Sequence, residues 1–177
     1  DSEELAEKLR GIRNLCFLPE KRFLHKQLGH NFRMTNLQAA IGLAQIERID
    51  EIVDQKRLIG IRYTNHLEKI SGLQLPVEES WARQVYWMYG VVLSDATEMD
   101  ATEFAAKLRK EGVDTRPFFL GMHEQPAFHG MNLFVDEHYP NAERLAKKGL
   151  YLPSGLTLTE EQIGEVCEAA RRVLKEA

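Results

Sequence analysis

Three polar side chains crowd one short turn. His30, Asn31 and Arg33 follow Gly29 and precede the run Thr35-Asn36-Leu37-Gln38. Thr35 with Gln38 three residues on has the form of a capping box, so a helix is predicted to start at Asn36. A helix N-terminus carries unpaired backbone N–H groups and a positive partial charge. An imidazole, an amide and a guanidinium just ahead of it would suit an anion. The same residues would also serve as a plain solvated turn, and the pattern leaves both readings open.

Two further candidates lie downstream. Arg116 falls between a predicted strand end and Pro117, where binding residues and structural ion pairs are both common. His123 stands in the loop Gly121-Met-His-Glu-Gln-Pro126, either as polar surface or as a working residue. His129 and His138 have no ligand spacing to each other or to His123, so no metal is expected. Lys26 could be considered for imine chemistry, which needs burial or a cationic neighbour to lower the amine's pKa. It lies in a charged loop with Lys21, Arg22 and His25 and is set aside. That cluster reads either as solvated surface or as one wall of an anion site. Cys16 and Cys167 make no CxxC and are read as buried or half-buried thiols of a reducing cytoplasm. No GxGxxG, P-loop or GxSxG is present.

The elements that must position these residues are legible in outline. Leu5, Leu9, Ile12 and Cys16 form one face of a helix over residues 2–16, capped by Asp1 or Ser2. Residues 17–28 read as an ordered loop. From Asn36 a long amphipathic helix is predicted to about Ile70, with a break or bend near Gly60. Its face is Leu37, Ile41, Ala44, Ile49, Ile52, Tyr63, Leu67 and Ile70. Residues 39–44 are small and apolar on nearly all sides. They are expected to be buried on more than one face, as at a subunit interface.

Ser71-Gly72 ends that helix. Val85–Leu93 is the best strand, with Tyr86, Trp87 and Tyr89 assigned to the sheet core. Asp100 with Glu103 caps a helix that stops at Gly112, and a short strand over 113–116 is closed by Pro117. Strand, helix and strand together suit a crossover. After a loop-rich stretch come a short helix (140–149), a third strand (150–153) and a final helix. A second capping box, Thr159 with Gln162, opens that helix, whose face is Ile163, Val166, Cys167, Ala170, Val173 and Leu174.

The chain of 177 residues carries a formal charge of -4, which gives no electrostatic reason to expect nucleic acid. Its 44% hydrophobic and 28% charged content fits a globular domain, and its apolar runs are too short to span a bilayer. No signal-like stretch occurs. The chain opens in mid-pattern without a methionine, so it is expected to be part of a longer protein.

The assembled pattern resembles a known family. Gly29-x-Asn31-x-Arg33-Met34-x-Asn36-x-x-Ala39-Ala40-x-Gly42-x-x-Gln45 is similar to the signature of the DegT/DnrJ/EryC1/StrS sugar aminotransferases. Three more matches follow the family's order. They are the opening Glu3–Arg10 with Arg13-Asn14, Thr115-Arg116-Pro117 with His123, Pro126 and Phe128, and Leu152-Pro153-Ser154 with Leu158-Thr159 and Gln162-Ile163. Within the family the chain most resembles the GDP-perosamine synthase branch.

The resemblance implies an α/β chain that is the carboxy-terminal portion of a type I pyridoxal-phosphate (PLP) transferase fold. Residues 1–50 would end the large PLP-binding domain and make dimer contacts. Residues 51–177 would form the small domain, joined through the long helix. It also implies roles. Asn31 would reach the PLP phosphate of the neighbouring subunit's site in a homodimer, with Arg33 holding that loop or lining the same pocket. His123 would lie near the nucleotide-sugar, with Arg116 and His30 on the substrate side. The family's reaction takes an amino group from glutamate to a 4-keto-6-deoxy nucleotide-sugar in a ping-pong cycle. Its Schiff-base lysine and the aspartate on the cofactor's ring nitrogen belong to upstream motifs that this sequence does not contain. The chain alone is therefore expected to be inactive and to hold no catalytic residue. The runner-up is a binding module that keeps the family scaffold without catalysis.

Overall fold

A computed structural model describes residues 1–21 and 23–175. Arg22 of the basic loop lies outside the described residues. The chain divides into two compact units, Asp1–Ile49 and Asp50–Ala177.

In the first unit, helix α1 (Glu3–Arg13) starts where the Ser2 side chain accepts the N–H of Leu5 at 3.2 Å. Acidic residues sit in its first turn and basic ones in its last, matching the helix dipole. It stops at Arg13, three residues short of the predicted end. Leu15 and Cys16 take left-handed backbone conformations (φ 61° and 50°), which turn the chain out of the helix. Residues 29–32 then pair back on the turn: His30 N–H donates to Ile12 O (2.7 Å), Leu15 N–H to His30 O (3.1 Å) and Phe32 N–H to Arg13 O (3.0 Å). Gly29 is required there, because a Cβ would lie 2.6 Å from the backbone of Leu15 and Cys16. Cys16 is buried in this turn, with Sγ 3.4 Å from Leu28 O.

Helix α2 (Asn36–Ile46) begins with the expected capping box, both halves of which are made. The continuous helix to Ile70 is not found. It breaks at Glu47–Arg48, where Arg48 N–H turns back to Gln45 O at 3.2 Å, and helix α3 (Ile49–Leu67) starts afresh. Gly60 is not a bend. It lies inside α3 because the Tyr86 ring packs on it, and a Cβ would come within 2.6 Å of that ring. The expected burial of residues 39–44 is also absent within this chain: α2 buries no residue, and Leu37 and Ile41 are 79% and 68% exposed.

The second unit is built on a four-stranded sheet. After α3 come β1 (Leu73–Gln74), β2 (Tyr89–Leu93), α4 (Ala101–Lys110), β3 (Arg116–Pro117), α5 (Pro126–His129), α6 (Pro140–Lys148), β4 (Gly149–Leu152) and α7 (Glu160–Lys175). The sheet order is β1-β2-β4-β3 and every neighbouring pair is antiparallel. β2 and β3 thus run parallel with β4 between them, and α4 forms the crossover. Pro117 is tolerated because β3 is an edge strand.

The predicted strand from Val85 is realised only from Tyr89. Tyr86 has φ 48°, which breaks extended pairing ahead of it. Tyr86 and Tyr89 reach the core, where Tyr89 stacks between Tyr63 and Tyr86, whereas Trp87, expected there too, is 65% exposed. The core gathers Tyr63, Leu67, Tyr89, Val91, Phe104, Leu108, Leu150 and the inner face of α7, where Ile163, Val166, Cys167, Ala170 and Val173 are buried as the spacing predicted.

Caps fix the helices around it. Asp100 accepts from the N–H groups of Thr102 and Glu103 at 2.8 and 2.9 Å. At the far end of α4, Gly112 (φ 84°) completes a Schellman turn, with Val113 N–H on Leu108 O and Gly112 N–H on Arg109 O. Thr159 and Gln162 exchange the bonds of the second capping box.

Candidate functional site

The polar turn ahead of α2 is positioned by the short pairing just described. Asn14 and Asn31 face each other across it, flanked by bonds at the residues before and after. That is the non-hydrogen-bonded kind of pair, which brings side chains closest. Arg33 Nε donates to Asn31 Oδ1 at 3.2 Å. The bond fixes the amide so that its NH2 group remains as a donor. The guanidinium of Arg33 borders a pocket of about 360 Å³ with Asn14, Phe17, Leu18 and Pro19. Asn14 Oδ1 is buried beside it with no partner among the described residues. His30 is exposed and stacks on Phe32 at 4.9 Å. One amide and one guanidinium, both with donors to spare, fit a phosphate or another oxyanion. The exposed Lys21 and Lys26 and His25, which bonds Leu15 O at 2.7 Å, add positive or polar surface to the same unit.

The second unit places Arg116 and His123 differently. Arg116 is exposed on edge strand β3, with no ion partner among the described residues. It borders an open groove of about 1050 Å³ shared with Lys56, Trp87, Tyr151, Ser154 and Gln162. His123 is not among the residues of that groove. It is 7% exposed in a 3-10 turn (Met122–Glu124), with Nε2 3.2 Å from Glu143 Oε1 and its ring edge-on to Tyr139. Glu143 also accepts the N–H of Tyr139 at 2.8 Å. That bond first, then His123 and His138, hold its carboxyl below the usual range against the opposing effect of burial.

Lys56 and Glu143 were not singled out by the sequence. Lys56 donates from Nζ to the carbonyls of Trp87 and Ser154, which joins α3 to two loops, and burial lowers its pKa. A lysine on the polar side of an amphipathic helix gives no local signal of such a role. Cys167 is unsuited to nucleophilic work, because burial pushes its thiol up to about 12. Among the described residues no three histidine, cysteine or acidic side chains gather as a metal site, and no helix is long and apolar enough to cross a membrane.

The helix-backed antiparallel sheet, preceded in sequence by the polar turn, is the carboxy-terminal portion of a type I PLP-dependent transferase fold. DesV of S. venezuelae superimposes with a TM-score of 0.85 at 26% identity, over 99% of this chain and 46% of its own. DesI, crystallised in the presence of its TDP-sugar product, does so with a TM-score of 0.83 at 27% identity, over 98% of this chain and 44% of its own. The chain belongs to the DegT/DnrJ/EryC1/StrS aminotransferase family, whose pattern it matches over residues 1–171. It is 35% identical over 176 residues to the GDP-perosamine synthase of Caulobacter vibrioides, covering 98% of this chain and 46% of that protein. It is 29% identical over 171 residues to the GDP-perosamine synthase of Vibrio cholerae, covering 97% and 46%. The chain spans about half the length of the curated relatives it matches.

Proposed function

We propose that this chain is the carboxy-terminal part of a cytoplasmic, homodimeric PLP-dependent aminotransferase that moves an amino group from glutamate to a 4-keto-6-deoxy nucleotide-sugar. The perosamine type, for surface-polysaccharide precursors, is favoured by the relatives named GDP-perosamine synthase. A sugar nucleotide is favoured also by DesI and its TDP-sugar product. Residues 1–50 would end the cofactor-binding domain, and 51–177 would form the small domain.

The observation that carries the reading is the Arg33–Asn31 bond, which leaves the amide NH2 and guanidinium donors for a phosphate. Asn31 and Arg33 would hold the PLP phosphate of the partner subunit's site, and the exposed apolar side chains of α2 suit burial against a second copy. When bound, the cofactor supplies the electron sink that lets an amino group pass from donor to acceptor. Arg116, His30 and His123 would bear on the sugar-nucleotide side. The chain by itself would not transaminate, because the cofactor-bearing lysine of the family lies in a motif it does not contain.

The test is PLP retention by the full-length dimer after dialysis. Asn31→Ala should weaken it about tenfold, the worth of one hydrogen bond to a charged group. Arg33→Ala should weaken it by a similar factor. Retention unchanged in both variants would overturn the role given to Asn31 and Arg33, and a full-length dimer that retains no PLP at all would shift the assignment to a non-catalytic binding module.

A further inference from the structure

We propose that His123 is a positioning residue: through Glu143 it clamps the 118–139 loop against α6, and it does not itself touch the sugar nucleotide. The inference rests on the reading above that this loop borders the nucleotide-sugar.

The imidazole is hemmed in on three sides. Nε2 lies 3.2 Å from Glu143 Oε1. The Nδ1–Cε1 edge lies over Gly121, so close that a Cβ there would be 2.7 Å from Nδ1 and 2.5 Å from Cε1. The ring face is closed by Tyr139 at 4.8 Å between centroids. With Nε2 on Glu143 and Nδ1 packed over Gly121, a ring only 7% exposed presents little surface to a ligand.

The partners of His123 come from separate places in the chain. Glu143 Oε1 receives the imidazole and also the N–H of Tyr139, so one oxygen ties the turn to the entry of α6. His129 Nε2 bonds the His123 carbonyl at 2.6 Å and closes the other side of the loop. Glu124 Oε2, buried and without a hydrogen bond among the described residues, lies 4.0 Å from Nε2 and adds a second carboxylate to the ring's surroundings. The neighbouring Phe119, Leu120 and Met122 are exposed. These three side chains turn outward, and the histidine lies beneath.

Two measurements test the clamp. The imidazole 15N spectrum of this 177-residue chain should show His123 bonded through Nε2–H, and Glu143→Ala should abolish that signature. Glu143→Gln keeps an oxygen acceptor and should restore most of it. In the full-length enzyme, Glu143→Ala and His123→Gln should each raise KM for the nucleotide-sugar about five- to tenfold, with kcat nearly unchanged. The double variant should be no worse than either single one, because both remove the same contact.

An unchanged His123 spectrum in Glu143→Ala overturns the clamp. So does a His123→Gln loss far larger than that of Glu143→Ala which multiplies with it, since His123 would then touch substrate directly. If the unsubstituted enzyme does not turn over nucleotide-sugars, the functional reading falls, and the spectrum still decides the clamp.

Discussion

Helices α2 and α7 are both rich in apolar residues, yet α7 buries six of its residues and α2 none. The contrast extends to their units. The second unit closes its own core around Tyr63, Phe104, Leu108 and Leu150. The first exposes Leu28, Phe32, Leu37, Ile41, Leu43 and Ile46. Apolar periodicity says that a helix will bury a face; it does not say against what. So much exposed apolar surface marks a place for further protein, in keeping with a chain about half the length of its relatives.

The contrast can be broken by mutation. Phe104→Ala should cost about 3–5 kcal/mol of unfolding free energy in urea, as expected for an aromatic removed from a closed core. Ile41→Ala in this chain should change it by less than about 0.5 kcal/mol, as an exposed position does. An Ile41→Ala loss near that of Phe104→Ala would show that α2 is buried in solution. Gly60→Ala should destabilise by about 1–3 kcal/mol, because its methyl would meet the Tyr86 ring. Thr35→Ala should cost about 1 kcal/mol, read as lost helicity, since it removes half a capping box from a unit with few other restraints.

A pH titration sharpens the same contrast from the side of the core. Burial raises the Cys167 thiol from an ordinary 9.0 to about 12 and the Tyr89 phenol from 10.0 to about 12. Above pH 9 the unfolded chain releases these protons while the folded one keeps them. The contribution of these two groups to the stability of the second unit should be flat from pH 7 to 9 and fall as pH rises towards 12. Thermal unfolding across pH 7–11 checks it; Cys167→Ala should flatten the first part of the decline.

Local signals were legible and long-range ones were not. The Thr35–Gln38 and Thr159–Gln162 boxes and the Asp100 cap lie within four residues, so the bonds could be read from spacing. The turn that gathers His30, Asn31 and Arg33 was visible for the same reason. The break at Glu47–Arg48 carries neither glycine nor proline. Gly60 drew the expected bend instead, although its lack of a side chain answers a ring from Tyr86, far along the chain. Half the predicted β2 was lost to a left-handed Tyr86 that no β-propensity forecasts. The partner of His123 lies twenty residues away on α6, and only the fold shows that the loop histidine is buried.

The sheet order has a consequence for how this chain is made. β4 is the last strand in sequence and yet pairs with both β2 and β3. During synthesis those two strands emerge early, with no bond to each other to hold them. Only after residues 149–152 have left the ribosome can β3 be joined to the pair that β1 and β2 make, with α7 following to cover the sheet. Folding of the second unit is thus tied to late, non-local contacts, which slow a small domain. A pause or premature stop before Gly149 would release a chain with unpaired strand edges and no closed core, a substrate for chaperones and proteases.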